Sequence, residues 1–113
     1  MPYSDLPPDL DVIIDAAASA MTMSNFACGE ELARFAFDRG GGLPAAIVLA
    51  DALGWQGRGD EVEAVLGAFG PDGADELLTA RWGCVRAMNL FLNRGQVEQA
   101  RQVIANVMDR INS

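Results

Sequence analysis

The chain has 113 residues, half of them apolar, and a formal charge of -8 from 16 acidic residues against 8 basic ones, all arginine; it contains no histidine. Such a chain is one ordinary domain, long enough to bury a core without metals or disulfides. Its acidity argues against direct binding to nucleic acid, which rests on clustered basic side chains, and the lack of histidine removes the residue best suited to proton transfer near neutrality.

The opening "MPYSDLPPDL" has neither the basic segment nor the apolar core of a secretion signal, so a cytoplasmic location is expected. The first helix is predicted over about Pro8 to Met21, with Asp9 and Asp11 suiting its positive end. Ser24 and Asn25 are good N-cap types for a second helix, "FACGEELARFAFDR". The triplet Gly40 to Gly42 then stops it; no Lys follows as a phosphate-binding loop requires, so these glycines are a helix end and no cofactor is expected.

A third helix is predicted from about Leu43 to Gln56. It contains the longest apolar run, Leu43 to Ala50, far short of the ~18 residues of a membrane span, and no membrane partner is expected. A fourth follows from Asp60 to Phe69, then the turn "GPDG". A fifth runs from Ala74 to Asn93, and a sixth from Gln96 to Asn112. Cys28 and Cys84 are too few for a zinc site, so no metal is expected; they read as reduced, small packing residues.

The stretch "GRGDEVEA" at Gly57 returns as "NRGQVEQA" at Asn93. Taking the turn residue and the small residue five positions later as landmarks, Ser24 and Gly29 are followed by Gly59 and Ala64, then by Gly95 and Ala100. A near-constant period with a helix pair in each unit marks an α-solenoid. The fold class expected is therefore all-α, with three hairpins over roughly 8–42, 43–72 and 73–113 in one domain. Ala64 and Ala100 are expected where neighbouring helices approach closely, and Trp55 and Phe91 are expected to fill the hairpins.

On these landmarks the chain resembles the tetratricopeptide repeat. Its first-helix small position falls on Ala17 and Ala52 but on Met88 in the third copy. The wording "LARFAFDRGGGLPAAIVLADALGWQGRGDEVEAVL", followed by "RWGCVRAMNLFLNRGQVEQARQVI", also resembles the segment after the ATPase module in large actinobacterial LuxR-type transcriptional regulators. The resemblance implies a repeat region cut from a longer chain, with the ATPase and the DNA-binding helix-turn-helix elsewhere. It carries over no catalytic residue.

In a tetratricopeptide array the first helices line a concave face where partners dock. The register above puts there Ala18 and Met21, then Leu49, Leu53 and Gln56, and from the fifth helix Trp82, Val85, Arg86, Asn89 and Asn93. The structural alternative is that Trp82 packs between hairpins and the asparagines are solvated. On the last helix Val97, Ile104, Val107, Met108 and Ile111 extend a stripe wider than one neighbouring helix covers; it is expected to dock the next repeat of the parent chain or a second copy, making a homodimer.

The paired acids Glu30 and Glu31, Asp60 and Glu61, and Asp75 and Glu76 fall near helix starts and read as structural. So does Arg58-Gly59-Asp60, as a turn and helix start. The expected function is a non-catalytic interaction or sensor module that takes a protein or small-molecule signal. A free-standing adaptor bridging two proteins is the second reading, and a small carboxylate enzyme the third.

Overall fold

The computed structural model describes residues 8–112, and within them every regular element is helical. The elements are α1 (Pro8–Thr22), α2 (Phe26–Asp38), α3 (Gly42–Trp55), α4 (Gly59–Ala68), α5 (Glu76–Met88) and α6 (Val97–Asn112); α5 continues into a single π-helical stretch, Asn89–Asn93. These limits lie within about two residues of the expected ones. The segment through Pro7, which carries most of the reading about secretion, and Ser113 lie outside the described residues.

Local chemistry sets the boundaries. The Asn25 side chain accepts a hydrogen bond from the Cys28 N–H at 3.3 Å, and Asp75 accepts from that of Leu78 at 2.8 Å, so α2 and α5 start on side-chain caps. Each of the three hairpins α1–α2, α3–α4 and α5–α6 closes in three residues, and each turn holds one residue in the left-handed region: Ser24, Gly57 and Gly95. Glycine adopts that conformation without steric cost.

The helices pack in chain order, α1 on α2, α2 on α3, α3 on α4 and α5 on α6, while α3 also touches α1 and α5. The junction between α4 and α5 is much weaker. Helix α3 is the centre of the molecule. Ala45, Ala46, Leu49, Ala50, Ala52 and Leu53 are all fully buried, which is the physical meaning of the long apolar run: a helix apolar all round has neighbours on all sides. No helix among the described residues is long and apolar enough to cross a membrane.

The core divides into three clusters: a main one containing Ala17, Ala33, Leu49, Leu53, Val62 and Leu66, one joining α5 to α6 through Ala87, Leu90, Ala100, Val103 and Val107, and one of Leu10, Ile14, Ala36 and Ala45. Trp82 packs against the first two. Its indole Nε1–H donates to the carbonyl of Phe69 at 3.0 Å and, more weakly, to that of Leu66 at 3.4 Å. Carbonyls at a helix C-terminus lack intrahelical donors, so Trp82 closes the end of α4 as well as filling the junction. The close approach of α6 to α5 depends on Gly83, where an added Cβ would lie 2.4 Å from Cγ2 of Val107.

The structure corrects the internal register. The second helices begin at Phe26, Gly59 and Val97, so successive hairpin turns are 33 and 38 residues apart, not 35 and 36. Gly95 is a turn residue, whereas Gly59 is the first residue of α4; the equivalent of Gly95 is Gly57. Five residues after the left-handed positions come Gly29, Val62 and Ala100, all buried, and Ala64 is exposed. The likeness of "GRGDEVEA" to "NRGQVEQA" is thus two residues out of structural register.

The first helices keep a period of their own, with Ala17, Ala52 and Ala87 buried at intervals of 35 residues. Ala87, not the half-exposed Met88, is the third small position. The expected role of Trp55 and Phe91 also fails, since they are 56% and 53% exposed. Leu53 and Leu90 fill the hairpins instead, and Trp55 stacks on Phe26 with ring centroids 5.7 Å apart.

Two substitutions separate the registers. Ala100→Leu is expected to cost about 1–3 kcal/mol through overpacking against α5, and Ala64→Leu to lie within about 0.5 kcal/mol of the parent, as exposed substitutions do. Urea unfolding of both variants checks this; equal losses would restore the period of the sequence motif.

Candidate functional site

The face of α5 expected to be concave is mostly a seam against α3 and α4. Asn89, only 2% exposed, donates from Nδ2 to the Gly59 carbonyl at 3.0 Å and to Glu63 Oε2 at 3.3 Å. Asn93 donates to the Gly54 carbonyl at 3.0 Å and to Asn89 Oδ1 at 2.9 Å. Arg86 Nε donates to Glu63 Oε1 at 3.2 Å. One buried amide and its neighbours therefore pin the third hairpin to the α3–α4 turn, where the weak packing of α4 on α5 would not.

Other expected face residues are also placed elsewhere. Leu49 and Leu53 are fully buried and present no surface, and Trp82 serves the α4–α5 junction. Gln56 belongs to a polar cluster on the opposite side of the α3–α4 turn, donating to Glu30 Oε1 at 3.0 Å. Val85, Asn89 and Asn93, with Ala18 and Met21, do border the concave surface.

That surface is a groove of about 710 Å³ between the C-terminal parts of α1, α3 and α5. From α1 come Ala18 and Met21; from α3, Val48, Asp51 and Trp55; from α5, Arg81, Cys84, Val85, Met88 and Leu92. With Asn89 and Asn93 these last make the groove-lining stripe, which shares Val85, Asn89 and Asn93 with the expected one, lacks Trp82 and Arg86, and adds Arg81, Cys84, Met88 and Leu92. Met88 and Leu92 are exposed and line the groove, apolar side chains left at the surface. Cys84 likewise is exposed at the groove and not packed inside.

Among the described residues Asp51 is the one acidic side chain lining the groove. Burial pushes its carboxyl above the usual range, and a hydrogen bond from Trp55 offsets this only partly. Among the described residues, no cationic group lies within 4.0 Å of it.

The remaining charges are structural. Arg58 spans from Glu30 Oε1 at 2.7 Å to both carboxylate oxygens of Glu61, tying α2 to α4, and its own pKa is raised by these carboxylates. Burial alone would raise the Glu30 pKa, but hydrogen bonds from Arg34, Gln56 and Arg58 together hold it below the usual carboxylate range. Asp60 pairs with Arg94. Every member of the Arg58-Gly59-Asp60 triplet is thereby engaged in holding turns together, as its reading as a structural turn expects.

On α6 the stripe splits in two. Val107 is buried and Ile111 packs beside it against α5, whereas Val97, Ile104 and Met108 point away, 42%, 43% and 51% exposed. Comparison of the chain with protein-family models, curated proteins and solved structures gives no match.

Two predictions follow from these charges and amides. Asn89→Ala should cost about 1–3 kcal/mol, because it strands buried polar groups; urea unfolding measures it, and a neutral outcome would dissolve the seam. For Asp51 the folded pKa lies above the unfolded one, so its charge opposes folding at neutral pH; this penalty fades as pH falls through the raised folded value and is gone below the ordinary carboxylate value. Asp51→Asn is therefore expected to raise the melting temperature at pH 7 and to lose that advantage near pH 3. Glu30, with a lowered pKa, runs the other way: its contribution is present above the ordinary value and is lost on acidification.

Proposed function

We propose that this chain is a non-catalytic, tetratricopeptide-like helical module whose groove between α1, α3 and α5 receives a signal, and that it works as the sensor part of a longer LuxR-type transcriptional regulator. The observation that carries the reading is the groove itself. It is lined mainly by apolar side chains with a few polar groups, a composition typical of ligand sites, and its volume of about 710 Å³ suits a bound molecule. The side-by-side packing of α1, α3 and α5 and the buried alanines at 35-residue intervals support the repeat class, and the resemblance of the quoted stretches supports the regulator.

A ligand spanning α1, α3 and α5 touches all three hairpins at once. If it prefers one relative placement of the hairpins, binding shifts the population toward that placement, and the weak α4–α5 junction is where such a shift costs least. The signal would then pass to ATPase and DNA-binding parts located elsewhere in the parent chain.

A free-standing adaptor is the second reading, favoured by the outward line of Val97, Ile104 and Met108 on α6, a second apolar surface away from the groove. On either reading no catalytic residue is assigned and the module acts in the cytoplasm. An antibody raised against the segment decides between them in a lysate of the source organism. A band several times larger than 12.0 kDa is expected; a band near 12.0 kDa would remove the regulator and leave the adaptor.

A further inference from the structure

Six acidic side chains, Glu30, Asp60, Glu61, Glu63, Asp72 and Glu98, each lie within 4.0 Å of an arginine. Others, such as Glu31, Asp38 and Glu76, are in none of these ion pairs but are exposed to water, whereas Asp51 is partly buried and has a site around it. It stands half-buried on the α3 wall of a groove that Met21, Val48, Val85 and Met88 also line, and among the described residues no cationic group lies within 4.0 Å of it. A carboxylate held in apolar surroundings attracts a counter-charge more strongly than one in water, because the local dielectric is lower.

One helical turn on, Trp55 lines the same wall. Phe26 stacks on its ring, yet the indole remains 56% exposed. An exposed indole is the best of the aromatic surfaces for a cation, and it adds to the attraction of a neighbouring carboxylate. The groove's own cation, Arg81, is on α5 and exposed to solvent; its charge is screened by salt more than that of Asp51.

We propose that the groove is a receptor site for an organic cation, an ammonium or amidinium group on a compact apolar body, with Asp51 as its counter-charge and Trp55 as its aromatic wall. The proposal rests on the reading of the groove as the module's signal site. The volume selects the ligand class: about 710 Å³ falls within the ~300–1,000 Å³ of small-molecule pockets. The apolar body lies along Met21, Val85, Met88 and Leu92, and the cation supplies the counter-charge that the Trp55 hydrogen bond does not. Burial already disfavours the Asp51 charge, and a bound cation relieves that cost.

The test uses three rigid probes of one shape, aminoadamantane, adamantanol and adamantane carboxylate, titrated calorimetrically into the whole chain at pH 7. The amine is expected to bind about tenfold or more tighter than the alcohol, and the carboxylate weakest. In Asp51→Asn the ratio of amine to alcohol affinity should fall to about one while alcohol binding persists. Trp55→Leu should weaken the amine more than the alcohol, and Arg81→Gln should leave the amine's preference in place.

Equal binding of all three probes, or a preference for the amine that survives Asp51→Asn, would overturn the cation site and keep the groove. Tighter binding of the carboxylate would also overturn it and move the anchor to Arg81. Failure of all three probes to bind would sink the groove as a small-molecule site altogether.

Discussion

The structure depends on one helix having no solvent face to speak of. Alanine and leucine alternate irregularly along α3, and this lets four other helices approach it. The alanines at 45, 46, 50 and 52 admit close neighbours, and Leu49 and Leu53 supply the apolar volume between them. Each buried leucine withdraws apolar surface worth ~1.5–3 kcal/mol from water. With α1 and α2 on one side and α4 and α5 on the other, α3 turns three hairpins into a single body. The placement of every groove residue follows from which side of α3 its helix occupies.

Burial alone does not place the third hairpin. Helix α4 is short and meets α5 weakly, so polar chemistry takes over where apolar contact is thin. Asn89 reaches the start of α4, Asn93 reaches the end of α3, and Trp82 caps the end of α4. The π-helical stretch at Asn89–Asn93 brings the two asparagines to that turn. A π turn holds an extra residue in a helix, so α5 keeps Ala87 in line with Ala17 and Ala52 upstream and still delivers the amides downstream. Buried amides that must be satisfied hold a more specific geometry than apolar contact, because any shift leaves donors without acceptors.

The groove is the by-product of this arrangement. Helices α1, α3 and α5 leave a furrow between their C-terminal parts, and most residues that line it are ones the core did not need. Met21, Met88 and Leu92 are apolar without being buried, and Asp51 is partly buried without an ion pair. Side chains in such positions cost stability or solubility when nothing binds. That is the physical reason to seek the module's function there, and not in the salt-bridged turn around Arg58, where the charges satisfy one another.

Helix positions, the all-α class and the small buried positions Ala17 and Ala52 were legible in the sequence, because caps, turn glycines and apolar periodicity act over a few residues; Leu49 and Val107, read there as surface, are buried. The resemblance between two Arg-Gly turns was also visible, but it misled the register by two residues: Gly59 and Gly95 are alike as letters and differ in backbone conformation. Which stripe of α5 meets solvent was decided only in three dimensions. Trp82 and Leu92 sit ten residues apart with similar apolar character, and one packs against the core while the other lines the groove, because α4 ends beside Trp82 and Leu92 stays more than half exposed. A chain fixes the period of its apolar residues locally; which face of each helix is covered depends on the neighbours that the whole fold brings to it.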